Sequence, residues 1–190
     1  MTSPGLAAVA RAAAPRAAVE DLGSFIRDVP DYPRDGIVFK DITGLLVDPD
    51  ALAEAVERLA ALVPDDVQLI SGMEARGFIV GAALAVRLGL GFVPVRKAGK
   101  LPPPTRSLTY GLEYGEATIE IREGTVPDGA RVLLVDDVLA TGGTAAAGAE
   151  LLEQLGAQVV GLAFLLELEG LGGRERLAGR SVSTVLLTGS

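Results

Sequence analysis

The chain is predicted to fold as a doubly wound α/β domain on a mainly parallel sheet, with a flexible hood loop set into it. Three observations carry this. Short β-prone apolar runs alternate with helical patterns along most of the chain. The run Val132–Val135 leads through two acids and a Thr-Gly-Gly-Thr turn into an alanine-rich helical pattern. With 190 residues, 49% of them hydrophobic, one domain with a sizeable core is the default. Ligands of such sheets bind outside the carboxyl ends of the strands. The loops after Ile70, Val95, Val135 and Leu166 are therefore expected to converge.

Residues 1–18 form an Ala-rich extension with scattered Arg and Pro, the composition of a frayed or disordered segment. The remaining 19–190 read as a single domain. Val19, Leu22 and Ile26 stand at helical spacing, and Asp31–Gly36 is a turn. Asp48-Pro49 is a cap with proline at the first helical position, and Leu52, Val56, Leu59 and Val63 line one face of the helix that follows. Val67–Ile70 is a strand, Ser71–Gly77 a loop, Phe78–Leu88 a helix stopped by Gly89, and Gly91–Val95 the next strand. No period holds over 97–116, which carries three consecutive prolines. A connection of that length inside a compact domain is usually functional, and it is expected to be a lid. Ala117–Ile121 alternates as a half-buried strand does. A helix from Ala145 to Leu155, a Gly156 stop, a strand Val159–Leu166, a short helix Gly172–Ala178 and a last strand Val182–Leu187 complete the order.

Composition narrows the chemistry. The net charge is −8 and the pI about 4.6, which disfavours nucleic acid or an anionic membrane as partner. There is no Cys and no His, so disulfides, thiolate metal sites and histidine bases are excluded. Acid–base work falls to Asp, Glu, Lys or Tyr, and any metal would be a hard cation such as Mg²⁺. The longest apolar run, Phe78–Val86, is far short of the roughly 20 residues that span a bilayer. The N-terminus lacks a basic start before its apolar residues, so a cytoplasmic protein is expected.

The stretch Val132–Thr144 organises the chain. Its turn and first helical turn leave backbone N–H groups pointing one way, where the helix dipole favours negative charge. Gly142 and Gly143 let the backbone approach a phosphate, and Thr141 and Thr144 can donate further hydrogen bonds. No Lys-Ser or Lys-Thr follows the glycines, and there is no G-x-G-x-x-G with a distant acid, so neither common nucleotide loop is present. Asp136 and Asp137 precede the turn, where carboxylates can accept from vicinal hydroxyls such as those of ribose, or assist a metal ion. On the residues alone the string also reads as two capping aspartates and a loop glycine pair.

The same two-sided reading holds elsewhere. Gly72-Met73-Glu74-Ala75-Arg76-Gly77 is a second anion loop with a forked donor, or an ordinary strand–helix connection. Arg96, Lys97 and Lys100 are cations suited to a polyanion, or a solvated loop. Glu113 is an acid–base candidate in a chain without histidine, or exposed filler. Val38 and Phe39 recognise a ring, or belong to the core.

Residues 135–144, Val-Asp-Asp-Val-Leu-Ala-Thr-Gly-Gly-Thr, resemble the phosphoribosyl diphosphate (PRPP) signature of the type I phosphoribosyltransferases. Within that family they look most like the adenine-specific phosphoribosyltransferases. Gly36–Thr43, Gly72–Gly77 and Tyr110-Gly-Leu-Glu-Tyr-Gly are similar to further segments of those enzymes, in family order, and the likeness runs from about Asp31 to Leu168. It implies a transferase of purine salvage that makes AMP and diphosphate from adenine and PRPP. It implies Asp136, Asp137 and Ala140–Thr144 (Ala140, Thr141, Gly142, Gly143, Thr144) on the ribose and 5-phosphate. It implies Glu74, Ala75 and Arg76, with Arg96 and Lys100, on the diphosphate, and Arg96 could serve a neighbouring subunit of a homodimer. It places Val38, Phe39, Lys40 and Leu168 at adenine, whose edge matches one backbone donor and one acceptor, and Glu113 at the imidazole side as acid–base catalyst. Lys40 stands where arginine is often found and lacks its planar fork. Mg²⁺ is implied as an ion carried mainly by PRPP, with no metal ligand assigned to the chain. The rivals are an oxopurine-specific enzyme of the same chemistry and a PRPP-sensing regulator. The latter would need a basic DNA-binding element not found here.

Overall fold

The computed structural model describes residues 19–111 and 115–189. Residues 1–18, read above as an extension, and Glu113 lie outside them. The helix expected from Val19 is reduced to one 3₁₀ turn, Leu22–Phe25. The Asp21 side chain takes the Gly23 amide and Ile26 is already extended, so the chain passes into strand β1, Arg27–Val29. β1 pairs antiparallel with β2, Phe39–Asp41, across the turn at Asp31–Gly36. Helix α1, Thr43–Val47, leads to α2, Pro49–Ala60. The Asp48 carboxylate caps α2 by accepting from the amides of Asp50 and Ala51, as the Asp-Pro pair predicts.

The main sheet has seven strands in the order β5-β6-β4-β3-β7-β8-β9. Strands β3 (Leu69–Met73), β4 (Gly91–Lys97), β7 (Arg131–Leu139), β8 (Gln158–Glu169) and β9 (Val182–Gly189) are parallel, while β5 (Thr105–Gly111) and β6 (Glu116–Arg122) join antiparallel at one edge. Successive residues of β7 and β8 bury on opposite faces. Val132, Leu134, Leu162 and Phe164 face the side of α4 (Gly143–Gln154). Leu133, Val135, Ala163 and Leu165 face the side of α2 and α3 (Arg76–Leu88). Both faces of the central strands are covered, which is why they read as continuous apolar runs.

Three of the departures from the sequence reading shape the site. β3 runs on to Met73, so the expected Ser71–Gly77 loop shrinks to Glu74-Ala75, joined by a cis peptide. β7 runs past the acids, because Asp136, Val138 and Leu139 still pair with Phe164, Leu166 and Glu167 of β8. The hood loop expected over 97–116 is mostly a β-hairpin, in which Thr105–Gly111 pairs residue by residue with Glu116–Arg122. Leu108 and Tyr110 turn its inner face onto the α4-side core. The hairpin continues the main sheet through Arg96↔Glu120 and Lys97↔Ile119. Buried Glu120 fixes the turn between, accepting from the amides of Lys100 and Leu101 at 2.8 Å each. Burial pushes the Glu120 carboxyl up, but the amides of Leu101, Lys100 and Gly99 outweigh it and hold it below the usual range.

Candidate active site

The carboxyl ends of β3, β7 and β8 meet the β2 segment around a cavity of ≈ 410 Å³. Eleven of the residues expected to touch substrate line it: Val38, Phe39, Lys40, Glu74, Ala75, Arg76, Asp136, Asp137, Ala140, Thr144 and Leu168. Thr141, Gly142 and Gly143 line an adjoining cradle of ≈ 100 Å³. A third cavity of ≈ 330 Å³, under the hood hairpin, takes in Glu74, Lys97, Tyr110 and Thr144. Thr144 borders all three. Arg96 and Lys100 line none of them.

The acid pair is shaped by close packing. Asp136 Oδ1 accepts the Asp137 amide at 2.9 Å. It sits beneath the first turn of α3, where a Cβ on Gly77 would stand 2.7 Å from that oxygen and 3.0 Å from the Val135 carbonyl. Residue 77 is glycine because the helix approaches β7 this closely. Asp136 keeps some surface in the cavity, yet burial of its carboxyl and then the neighbouring charge of Asp137 push its pKa well above the usual range. Asp137 is buried, with Arg76 Nε 2.7 Å from its Oδ2. The guanidinium N–H is not aimed at that oxygen, so the contact is Coulombic, and Oδ2 has no hydrogen-bond donor. Of the two acids Asp136 is the one that keeps surface in the cavity, where a carboxylate can accept from a hydroxyl.

Arg76 also stands over the Phe39 ring, its Cζ 4.8 Å from the centroid, and Tyr32 packs edge-on against the same ring at 5.2 Å. Lys40 borders the cavity, but its ammonium is tied to Asp28 of β1 at 2.9 Å and is nearly buried there. The Glu74 carboxylate turns away toward β4, accepting the Lys97 amide at 2.8 Å and facing Arg96 at 3.4 Å. The Lys97 amide foremost, with Arg96 behind it, outweighs desolvation and holds Glu74 below the usual range. An ionised carboxylate has nothing to donate to a diphosphate, and the Glu74 amide already donates to the Val95 carbonyl at 3.0 Å, so what this loop offers an anion is the Ala75 amide. Arg96 donates as well to the Lys100 carbonyl at 3.2 Å.

The cradle at Thr141–Gly143 rests on backbone. Gly142 has φ +76°, and a Cβ there would meet the Gly173 carbonyl at 2.8 Å. A Cβ on Gly173 would run into the Ala140 carbonyl. Gly173 opens helix α5, Gly173–Arg176, which a fork from Arg174 onto buried Glu167 of β8 pins at 2.7 Å. Three residues that brace the surroundings of this site have no role in the sequence reading. Glu120 hides in an alternating strand, Arg174 in a polar turn, and Tyr110, whose hydroxyl lies 3.1 Å from Thr144 Oγ1, belongs to a segment without a period. The pairing of Tyr110 with Thr144 spans 34 residues, and no local spacing signals it.

Among the described residues no group of three or more acids, histidines or cysteines could hold a metal, and no helix is long and apolar enough to cross a membrane. The family model for the phosphoribosyl transferase domain matches residues 46–182. The chain is similar to the adenine phosphoribosyltransferase of Thermobifida fusca, 56% identical over 165 residues that cover 85% of this chain and 94% of the relative. Among solved structures it is similar to the adenine phosphoribosyltransferase of Thermoanaerobacter pseudethanolicus, with TM-score 0.86, 48% identity and coverage of 88% of this chain and 98% of that one. The Saccharomyces cerevisiae enzyme, complexed with D-DIAB and adenine, aligns with TM-score 0.82 and 40% identity over 87% of this chain and 96% of that one.

Proposed function

Because the chain belongs to the phosphoribosyl transferase domain family, we propose that it transfers the phosphoribosyl group of PRPP to adenine, giving AMP and diphosphate in purine salvage. The observation that carries this is that a cavity with an aromatic and aliphatic wall and an acid pair adjoins, at Thr144, a backbone cradle suited to a phosphate. Adenine lies between Phe39 and Leu168, its edge read by the backbone at Val38. Asp136 and Asp137 accept from the ribose hydroxyls, and Ala140–Thr144 hold the 5-phosphate. Diphosphate lies toward the Glu74-Ala75 peptide, Arg76 and the cation turn with Lys100.

The base nitrogen attacks C1 of the ribose as the bond from C1 to the diphosphate oxygen breaks, through an oxocarbenium-like transition state. Holding both charged ends of PRPP aligns the reacting atoms, and a covered site keeps water from hydrolysing PRPP. Glu113 takes the proton that the base must lose. Mg²⁺ would be carried mainly by PRPP, with Asp136 and Asp137 as the carboxylates that would assist it, and it would supply charge neutralisation on the leaving diphosphate. The exposed Ile79 and Val86, seven residues apart on α3 and so on one face, support a homodimer.

The test is diphosphate release from PRPP and Mg²⁺ with adenine, hypoxanthine, guanine and xanthine in parallel, with each nucleotide identified. AMP from adenine alone is expected. Turnover of an oxopurine would discard the backbone reading at Val38. PRPP binding without turnover of any base would mark a regulator.

A further inference from the structure

We propose that the Tyr110 hydroxyl is a positioning group for the 5-phosphate of PRPP, acting through Thr144. The inference rests on the reading of Ala140–Thr144 as the phosphate cradle and adds a residue from outside it. Tyr110 belongs to β5 of the hood hairpin and Thr144 to the first turn of α4, yet their hydroxyl oxygens lie 3.1 Å apart. The Tyr110 ring packs against the core beneath the hairpin, so the phenol oxygen is delivered by a fixed frame.

A hydroxyl has one proton and two lone pairs, and in the free protein either partner can donate. A phosphate removes that freedom, since it mainly accepts. Thr144 must then turn its proton to the phosphate, and its oxygen is left to accept from Tyr110. The donors line up from Tyr110 to Thr144 to the phosphate, and each bond polarises the next. Tyr110, as a partner on the hood side, also favours the Thr144 rotamer that keeps Oγ1 at the junction of the cavities.

The experiment compares Tyr110→Phe, Thr144→Ala and the double variant, measuring affinity for ribose 5-phosphate, affinity for inorganic diphosphate, and PRPP kinetics with adenine. Phenylalanine keeps the packed ring and removes only the hydroxyl. Loss of one hydrogen bond is expected to weaken ribose 5-phosphate by roughly three- to tenfold. KM for PRPP rises in step, while kcat and diphosphate affinity stay as in the parent. In the Thr144→Ala background the tyrosine change adds nothing further. A Tyr110→Phe protein that binds ribose 5-phosphate normally, while Thr144→Ala does not, overturns the proposal and leaves the cradle standing. Equal loss of both ligands, or an additive double variant, overturns it in favour of a packing role. Normal ribose 5-phosphate binding by Thr144→Ala overturns the cradle reading itself, and this inference with it.

Discussion

Replacing Gly77 by alanine tests how the acid pair is held. The added Cβ would lie 2.7 Å from Asp136 Oδ1, 3.0 Å from the Val135 carbonyl and 3.2 Å from Asp136 Cα. Two of the three are main-chain atoms of β7, so the strain cannot be relieved by a side-chain turn alone. Overpacking of this kind costs about 1–3 kcal/mol. Alanine in a helix recovers about 0.5–1 kcal/mol over glycine. The net loss is about 0–2.5 kcal/mol, or a fall in Tm of up to roughly 10 °C for a domain of this size. Because the push falls on Asp136, KM for PRPP rises as well. Gly81→Ala is the control, since its Cβ meets the Phe92 ring at 3.0 Å and no atom of Asp136, and it leaves that KM alone. Thermal melts and initial rates with varied PRPP read both effects. A Gly77→Ala protein with raised Tm and unchanged KM would refute the close approach as the reason for glycine.

Three further outcomes are expected. Glu113→Gln lowers turnover by roughly 10²- to 10⁴-fold; near-parental kcat removes Glu113 from the acid–base role. Asp136 carries a raised pKa, so the native state holds its proton more tightly than the unfolded chain. The associated cost is absent below the ordinary value of about 3.9 and present in full above the folded value. Asp136→Asn therefore gains stability over the parent as pH rises through that window, while binding PRPP less well, and parallel Tm–pH curves would contradict it. Arg174→Ala leaves Glu167 buried without its fork and costs about 1–2 kcal/mol, less than a fully buried pair because Arg174 is half exposed. Adding Glu167→Gln should restore part of the lost Tm, and no recovery would rule out the stranded charge as the cause.

What could be read from the chain divides by range. The parallel strands announce themselves as apolar runs, and Asp48-Pro49 and Gly89 mark helix ends through local chemistry that survives in the structure. The resemblance placed eleven residues around one cavity because it reports tertiary proximity that spacing cannot. Sequence reading failed where a distant partner decides the outcome. β7 continues through two acids because β8 pairs with them. The hood is a hairpin because β6 pairs with it, though only Leu108 and Tyr110 show an alternation. Glu74 and Lys40 line the cavity, but no spacing announces that the Glu74 carboxylate accepts the Lys97 amide or that the Lys40 ammonium pairs with Asp28.

The glycine-on-glycine wall behind the cradle bears on how the two ends of the site respond to redesign. Where Gly142 meets Gly173 the surface is main chain, and there is no side chain to enlarge, trim or recharge. A library of substitutions there yields chiefly broken loops. Phe39 and Leu168, by contrast, present ordinary side chains to the cavity and can be exchanged one at a time. Under the proposed function, an engineer seeking altered donors will find the sugar-phosphate end unyielding, whereas new acceptor bases can be sought by stepwise repacking of the opposite wall.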